Sequence, residues 1–148
     1  MKKDFAALTR DFWKLFDKGM EIVFATSTER GVAARTVAAA YVGGKVCFAT
    51  FDKSAKCEQI RRNPNVALCL GAVQISGTAA VTGGGELPEN KTIMDALRAV
   101  FPIIDEYASM PGMVIVSVTP EAGAFMPPGS KDMFALDFVK KQANKIEM

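Results

Sequence analysis

The sequence predicts a mainly β protein with peripheral helices, its antiparallel strands closed or nearly closed into a barrel. Three observations carry this. Runs with strand character follow one another at 21–27, 32–42, 45–50, 66–70, 73–81 and 114–118, several joined by turns too short for a parallel crossover. Helical periodicity is confined to the ends and edges of that series, at 5–16, 55–62 and 88–104, so strands and helices do not alternate as a doubly wound sheet requires. Gly43-Gly44 stands between two of the runs as a two-residue hairpin turn, because both positions can take positive φ.

Each element has its own signal. Asp4 can cap a first helix whose residues Phe5, Leu8, Phe12, Leu15 and Phe16 fall on one face with Trp13 beside it, and Gly19 is the stop. The Glu29-Arg30-Gly31 region turns the first strand into the second. The short helix 55–62 ends at Asn63-Pro64, since the residue before proline is pushed out of helical geometry. Gly83-Gly84-Gly85 closes a second antiparallel pair, 66–70 with 73–81. Ile93, Leu97, Val100, Phe101 and Ile104 share one face of the 88–104 helix, with Pro102 as a kink or break. Residues 114–118 form a further strand and 123–126 another, after which Pro127-Pro128-Gly129 leads to a polar tail. There is no internal repeat, and the expectation is one domain over residues 1–148.

Composition narrows the chemistry. The chain is 49% hydrophobic with a formal charge of +2, and its basic and acidic residues are interspersed, leaving no electropositive stripe to track a phosphate backbone; nucleic acid is not an expected partner. Arg61-Arg62 reads as the solvated end of a helix, where cations complement the dipole. Cys47, Cys57 and Cys69 are odd in number and match neither a disulfide framework nor a zinc knuckle, which points to a reducing cytoplasm and no metal. The start Met1-Lys2-Lys3-Asp4-Phe5 lacks a signal-peptide apolar region, and no run reaches membrane-spanning length. Histidine is absent, which removes Ser-His and Cys-His nucleophile pairs and most histidine metal sites.

Chemistry concentrates in two places. Strand 32–42 (VAARTVAAAYV) is built almost entirely from alanine and valine, although strands normally use bulky residues to fill a core. A packed helix, a second subunit or a flat ligand could occupy the space above the alanines. Within it stands Arg35, a guanidinium suited to planar oxyanions or to a carboxylate of the chain itself. In "FATFDKSAK", residues 48–56, Thr50 and Ser54 offer hydroxyls, Lys53 and Lys56 offer ammonium groups, and the helix start offers unpaired backbone N–H groups. Lysines at a helix N-terminus oppose its dipole by about 0.3–1 kcal/mol each when exposed. A bound dianionic phosphate reverses that sign. The plainer reading makes Ser54 an N-cap and leaves the lysines in water.

These residues carry a resemblance. The order of a strand with Arg35, a glycine hairpin, "FATFDKSAK", "QIRRNPNVAL" and "ISGTA" resembles the pyridoxamine 5′-phosphate oxidase-like proteins of the FMN-binding split-barrel superfamily, over residues 21–81 and more loosely beyond. The most specific part is the Thr50, Ser54, Lys56 spacing followed by Asn63-Pro64. The resemblance implies an antiparallel split β-barrel and a homodimer with FMN in a groove between subunits. It places Arg35, Thr36 and Val37 along the flavin, with Arg35 directed to the phosphate, and Thr50, Ser54 and Lys56 at the phosphate with Lys53 beside it. The family's namesake has a basic residue where Ala40 stands and a histidine-containing C-terminal segment that grips pyridoxal. This chain has neither, so pyridoxamine phosphate oxidation is not expected.

The expected function is that of an FMN-dependent oxidoreductase passing electrons or hydride between a reduced nicotinamide and a small acceptor, with no side chain required as acid or base. The rivals are a protein that holds FMN or another phosphorylated ligand without turnover, and an obligate dimer with no cofactor. Two further roles are weighed. Cys57, beside Lys56, is either a redox thiol or, more simply, a buried structural cysteine. Phe125 and Met126 either cover the flavin face or belong to the core.

Overall fold

Packing of alternating apolar side chains onto one face of each strand closes the barrel. In the computed structural model, which describes residues 4–147, β1 (Met20–Thr28), β2 (Gly31–Val42), β3 (Lys45–Phe51), β4 (Asn65–Leu70), β5 (Val73–Val81) and β6 (Met113–Phe125) lie in the order β3-β2-β1-β4-β5-β6, and β3–β6 pairing closes the ring. Every pairing is antiparallel. Met1, Lys2 and Lys3 of the charged start lie outside the described residues.

The predicted tail is not a tail. Two short strands, β7 (Phe134–Asp137) and β8 (Gln142–Lys145), extend the sheet from the second half of β6, in a stretch where the sequence predicts no strand. Strand β6 is also a single element rather than two. Its middle, Thr119-Pro120-Glu121, is carried across a register shift at Ser76/Gly77 of β5, a bulge that accommodates a proline with no N–H to give. Gly77 is required there, because a Cβ on it would lie 2.1 Å from the Thr119 carbonyl oxygen.

Helix α1 (Phe5–Lys14) plugs one end of the barrel. Asp4 caps it, its carboxylate accepting from the Ala6 N–H at 3.0 Å. Leu8, Phe12 and Phe16 are buried, the Phe12 ring meets Phe125 at 5.1 Å, and Trp13 stacks on Tyr41 at 4.1 Å. Burial pushes the Tyr41 phenol above its ordinary pKa. Leu15, expected on the same face, is exposed: bonds from Leu15 N–H to Phe12 and from Phe16 N–H to Trp13 tighten the last turn, and the faster rotation carries Leu15 outward while bringing Phe16 in.

A second, smaller core lies outside the barrel. Ala40, Ile115 and Met113 are covered by Met94 and Leu97 of α3 (Lys91–Val100) and by Ile104 of α4 (Ile104–Ala108). The predicted helix 88–104 is thus three pieces, a 3-10 turn at Pro88–Asn90 and two α-helices with a break at Phe101 to Ile103, the break falling at Pro102 as its chemistry requires. Val100, expected on the apolar face, is exposed, and its methyls press on Gly19, whose φ of +66° and missing Cβ let the chain pass.

Candidate functional site

The β2–β3 hairpin comes apart on the way from its turn. Pairing runs from Val42↔Lys45 to Ala39↔Phe48 and stops there. Beyond that point β2 stays with β1 and β3 stays with β6. Between the parted strands opens a cleft of about 260 Å³, with Thr36, Val37 and Ala38 on one side and Ala49, Thr50 and Phe51 on the other. Backbone groups on the two facing edges have no strand partner, so they can bond a ligand. Phe101, Ile104 and Tyr107 form the cover, Met113 lies below them, and Lys56 stands at one end. The Phe101 and Tyr107 rings stack at 5.8 Å, and Tyr107 meets Phe51 edge-on at 6.3 Å.

This arrangement answers what lies above the alanines of β2. Helix α3 covers Ala40, the cleft lies against Thr36 to Ala38, and Ala34 faces outward in the open.

Helix α2 (Ala55–Arg62) supplies the polar end, with the boundaries its sequence predicts. Ser54 is its N-cap, accepting from the Cys57 N–H at 3.4 Å, and the Thr50 hydroxyl lies 3.5 Å from the Ser54 hydroxyl. Among the described residues the Ala55 and Lys56 N–H groups of the first turn have no acceptor, and neither Lys53 nor Lys56 forms an ion pair. The nearest carboxylates in sequence, Asp52 for Lys53 and Glu58 for Lys56, pair with Arg61 and Arg62 instead. Of the predicted residues, then, Thr36, Val37, Thr50 and Lys56 line the cleft. Ser54 and Lys53 sit beside it at the helix start.

Arg35 is placed differently. Its side chain turns to the inner face and does not line the cleft. Nη1 donates to the Phe24 carbonyl at 3.1 Å and to the Thr26 hydroxyl at 2.9 Å, Nη2 donates to Gln59 Oε1 at 3.0 Å, and the guanidinium lies 5.6 Å from the centre of the Phe24 ring. No carboxylate pairs with it among the described residues. Burial lowers its pKa from the ordinary arginine value.

Sequence reasoning missed Gln59 and the cleft's cover. Gln59 reads as a solvent-facing polar residue, and only its place one residue before the buried Ile60 marks it as lying at the edge of the packed face. Phe101, Ile104 and Tyr107 reach the cleft through a break whose direction no periodicity encodes. Conversely, Phe125 is fully buried in the main core and Met126 is exposed, and neither lines the cleft. Cys57 is fully buried too, in the structural role. Burial raises the Cys47 thiol pKa, its contact with Ser117 at 3.5 Å opposing that only in part. Among the described residues no group of acidic, cysteine or histidine side chains could hold a metal, and no helix is long and apolar enough to cross a membrane.

No protein-family model matches the sequence, and no curated protein is similar to it. Its fold is similar to that of solved proteins. General stress protein 26 of Bacillus anthracis is 18% identical over 78% of this chain and 91% of its own, with a TM-score of 0.62. A candidate pyridoxamine 5′-phosphate oxidase of Listeria innocua is 17% identical over 82% and 96%, with a TM-score of 0.57. HutZ, the haem storage protein of Vibrio cholerae, is 10% identical over 80% and 92%, with a TM-score of 0.62. Ring closure by β3–β6, the parting of β2 from β3 and these neighbours together identify the chain's fold as the split barrel of the pyridoxamine 5′-phosphate oxidase-like proteins.

Proposed function

We propose that the chain binds FMN in the cleft between β2 and β3 and acts as a flavin-dependent oxidoreductase, passing electrons or hydride between a reduced nicotinamide and a small acceptor. The observation that carries the reading is the pairing of an apolar, small-residue slot with a cationic end that, among the described residues, no carboxylate pairs with. The residues fit the group. A planar ring matches the gap between the Thr36 to Ala38 and Ala49 to Phe51 edges, where open backbone groups can bond its heteroatoms. Lys56, Lys53, Thr50, Ser54 and the free N–H groups of α2 suit a phosphate, and Arg35 adds positive charge from behind.

Bound flavin supplies the electron chemistry. The chain's part is to hold and orient it, and to exclude water on one side with Phe101, Ile104 and Tyr107. A cleft of about 260 Å³ is smaller than the roughly 300–1,000 Å³ of most ligand pockets, which favours completion by a second copy, with the cofactor at the subunit interface of a homodimer.

The second reading, FMN or another phosphorylated ligand held without turnover, has its own support: among the described residues Lys56 and Tyr107 are the only titratable side chains lining the cleft, and the fold is shared with a haem storage protein. Haem itself has fewer ligands to draw on, because the chain has no histidine, Met113, the cleft's thioether, is buried in the outer core, and Tyr107 is left as the lining side chain of a type that ligates haem iron. Titration of purified protein with FMN and, separately, with haem decides the ligand. FMN is expected to bind near one per chain with a change in flavin fluorescence; absence of FMN binding sinks the reading. Anaerobic bleaching of the bound flavin by NADH or NADPH is the outcome expected of an oxidoreductase, and a flavin that stays oxidised favours the carrier.

A further inference from the structure

Arg35 holds its charge half-buried against neutral acceptors alone: the Phe24 carbonyl, the Thr26 hydroxyl and Gln59 Oε1. Gln59 is the member of this set whose chemistry could have been otherwise. Both of its hydrogen bonds use the same oxygen, which accepts from Thr26 at 2.6 Å and from Arg35 at 3.0 Å. Its amide nitrogen has no partner among the described residues. A carboxylate of the same shape would accept both bonds and would add an ion pair to a half-buried guanidinium that no carboxylate among the described residues compensates. Hydrogen bonding therefore gives no reason for a carboxamide at this position. Net charge does.

We propose that Gln59 is a specificity-determining residue: by bonding Arg35 without neutralising it, Gln59 leaves the guanidinium's field acting on the ligand site at the start of α2, and so selects phosphorylated over unphosphorylated flavin. The proposal rests on the FMN reading of the cleft. Gln59 follows Lys56 by three residues on α2, about 4.5 Å along the helix axis, and Arg35 does not line the cleft, so its charge acts on the site through space rather than by contact. At a separation of one Debye length, roughly 10 Å at about 0.1 M salt, and at the intermediate dielectric of a protein surface, one unit of charge acting on a dianion changes a binding constant by about threefold to tenfold. A neutral riboflavin feels almost none of it.

The test compares dissociation constants for FMN and riboflavin in the wild type, Gln59→Glu and Gln59→Met. Gln59→Glu is expected to lower the preference for FMN over riboflavin by about threefold to tenfold while riboflavin affinity stays within about twofold. Gln59→Met, equally uncharged, is expected to keep the preference within about twofold of the wild type. An unchanged preference in Gln59→Glu overturns the proposal, and so does an equal fall in both variants, which would make the hydrogen bond rather than the charge the cause. A Gln59→Glu protein that does not fold counts against it as well, since a carboxylate paired with Arg35 supports the structure. Failure of the wild type to bind FMN removes the underlying reading and the proposal with it, whereas FMN binding with an unchanged preference in Gln59→Glu leaves that reading standing.

Discussion

Lys56 shows how one side chain can oppose the fold and serve the ligand. It occupies the first turn of α2, where the helix end already carries positive partial charge, and it forms no ion pair among the described residues, since Glu58, the acidic side chain of that turn, pairs with Arg62 instead. Lys56→Gln is therefore expected to stabilise the ligand-free protein by about 0.3–1 kcal/mol and to weaken FMN binding by about tenfold, the loss of one charge-assisted contact. Urea unfolding with and without FMN reads both, and a loss of ligand-free stability would show that the lysine is part of the scaffold. This corner of the site was legible in the sequence because its residues are local: Thr50, Lys53, Ser54 and Lys56 lie within one strand end, one loop and one helical turn. Arg35 was legible as a charge among small residues, but not in its direction, because its partners Phe24, Thr26 and Gln59 come from two other elements.

Elements with strong local signals stand where the sequence puts them. Strand β5 and helix α2 have their predicted bounds, β2 to β4 differ by a residue at one end and β1 by a residue at each, since alternation, hairpin glycines and Asn63-Pro64 each act within a few residues. Strands β7 and β8 carry no such signal. They are four residues each and owe their conformation to the free edge of β6, a tertiary cause that no short window contains. Asn90 belongs to the same class. It is almost wholly buried, and its amide donates to the Thr82 carbonyl at 3.0 Å and the Gly84 carbonyl at 2.8 Å, fastening the glycine loop that leads into α3. Asn90→Ala leaves buried carbonyls without a donor and is expected to cost about 1–3 kcal/mol. Because α3 leads directly into Phe101 and α4, whose side chains line the cleft, its second expected effect is weaker FMN binding. Denaturation and flavin titration of the same sample check the pair, and a loss of stability with unchanged flavin affinity would separate the loop from the site.

At the scale of the molecule the strand register lays two charge-free rows across the outside of the barrel. One runs Thr36, Val23, Cys69, Gln74, Ala124 and the other Ala34, Ala25, Ala67, Ser76, Ala122. Short side chains leave a shallow depression between β1, β4, β5 and β6, and Val23 remains 39% exposed there. Thr36, at the end of the first row, is also a lip of the cleft, so whatever covers this face borders the ligand. A flat, uncharged surface made of strands suits another copy of itself better than it suits water, because an isologous contact sets each small residue against its equal, and a single buried charge would forbid it. Ala67 lies exposed near the middle of the second row. Ala67→Arg is thus expected to leave the folded chain within about 0.5 kcal/mol of wild-type stability, to convert a dimer to a monomer in sedimentation, and to weaken FMN binding by about tenfold or more if the cofactor lies between subunits. A wild type that sediments as a monomer, or an Ala67→Arg monomer that holds FMN as tightly as before, would place the whole site within one chain, and the 260 Å³ slot between β2 and β3 would then have to open further on its own to admit the ring.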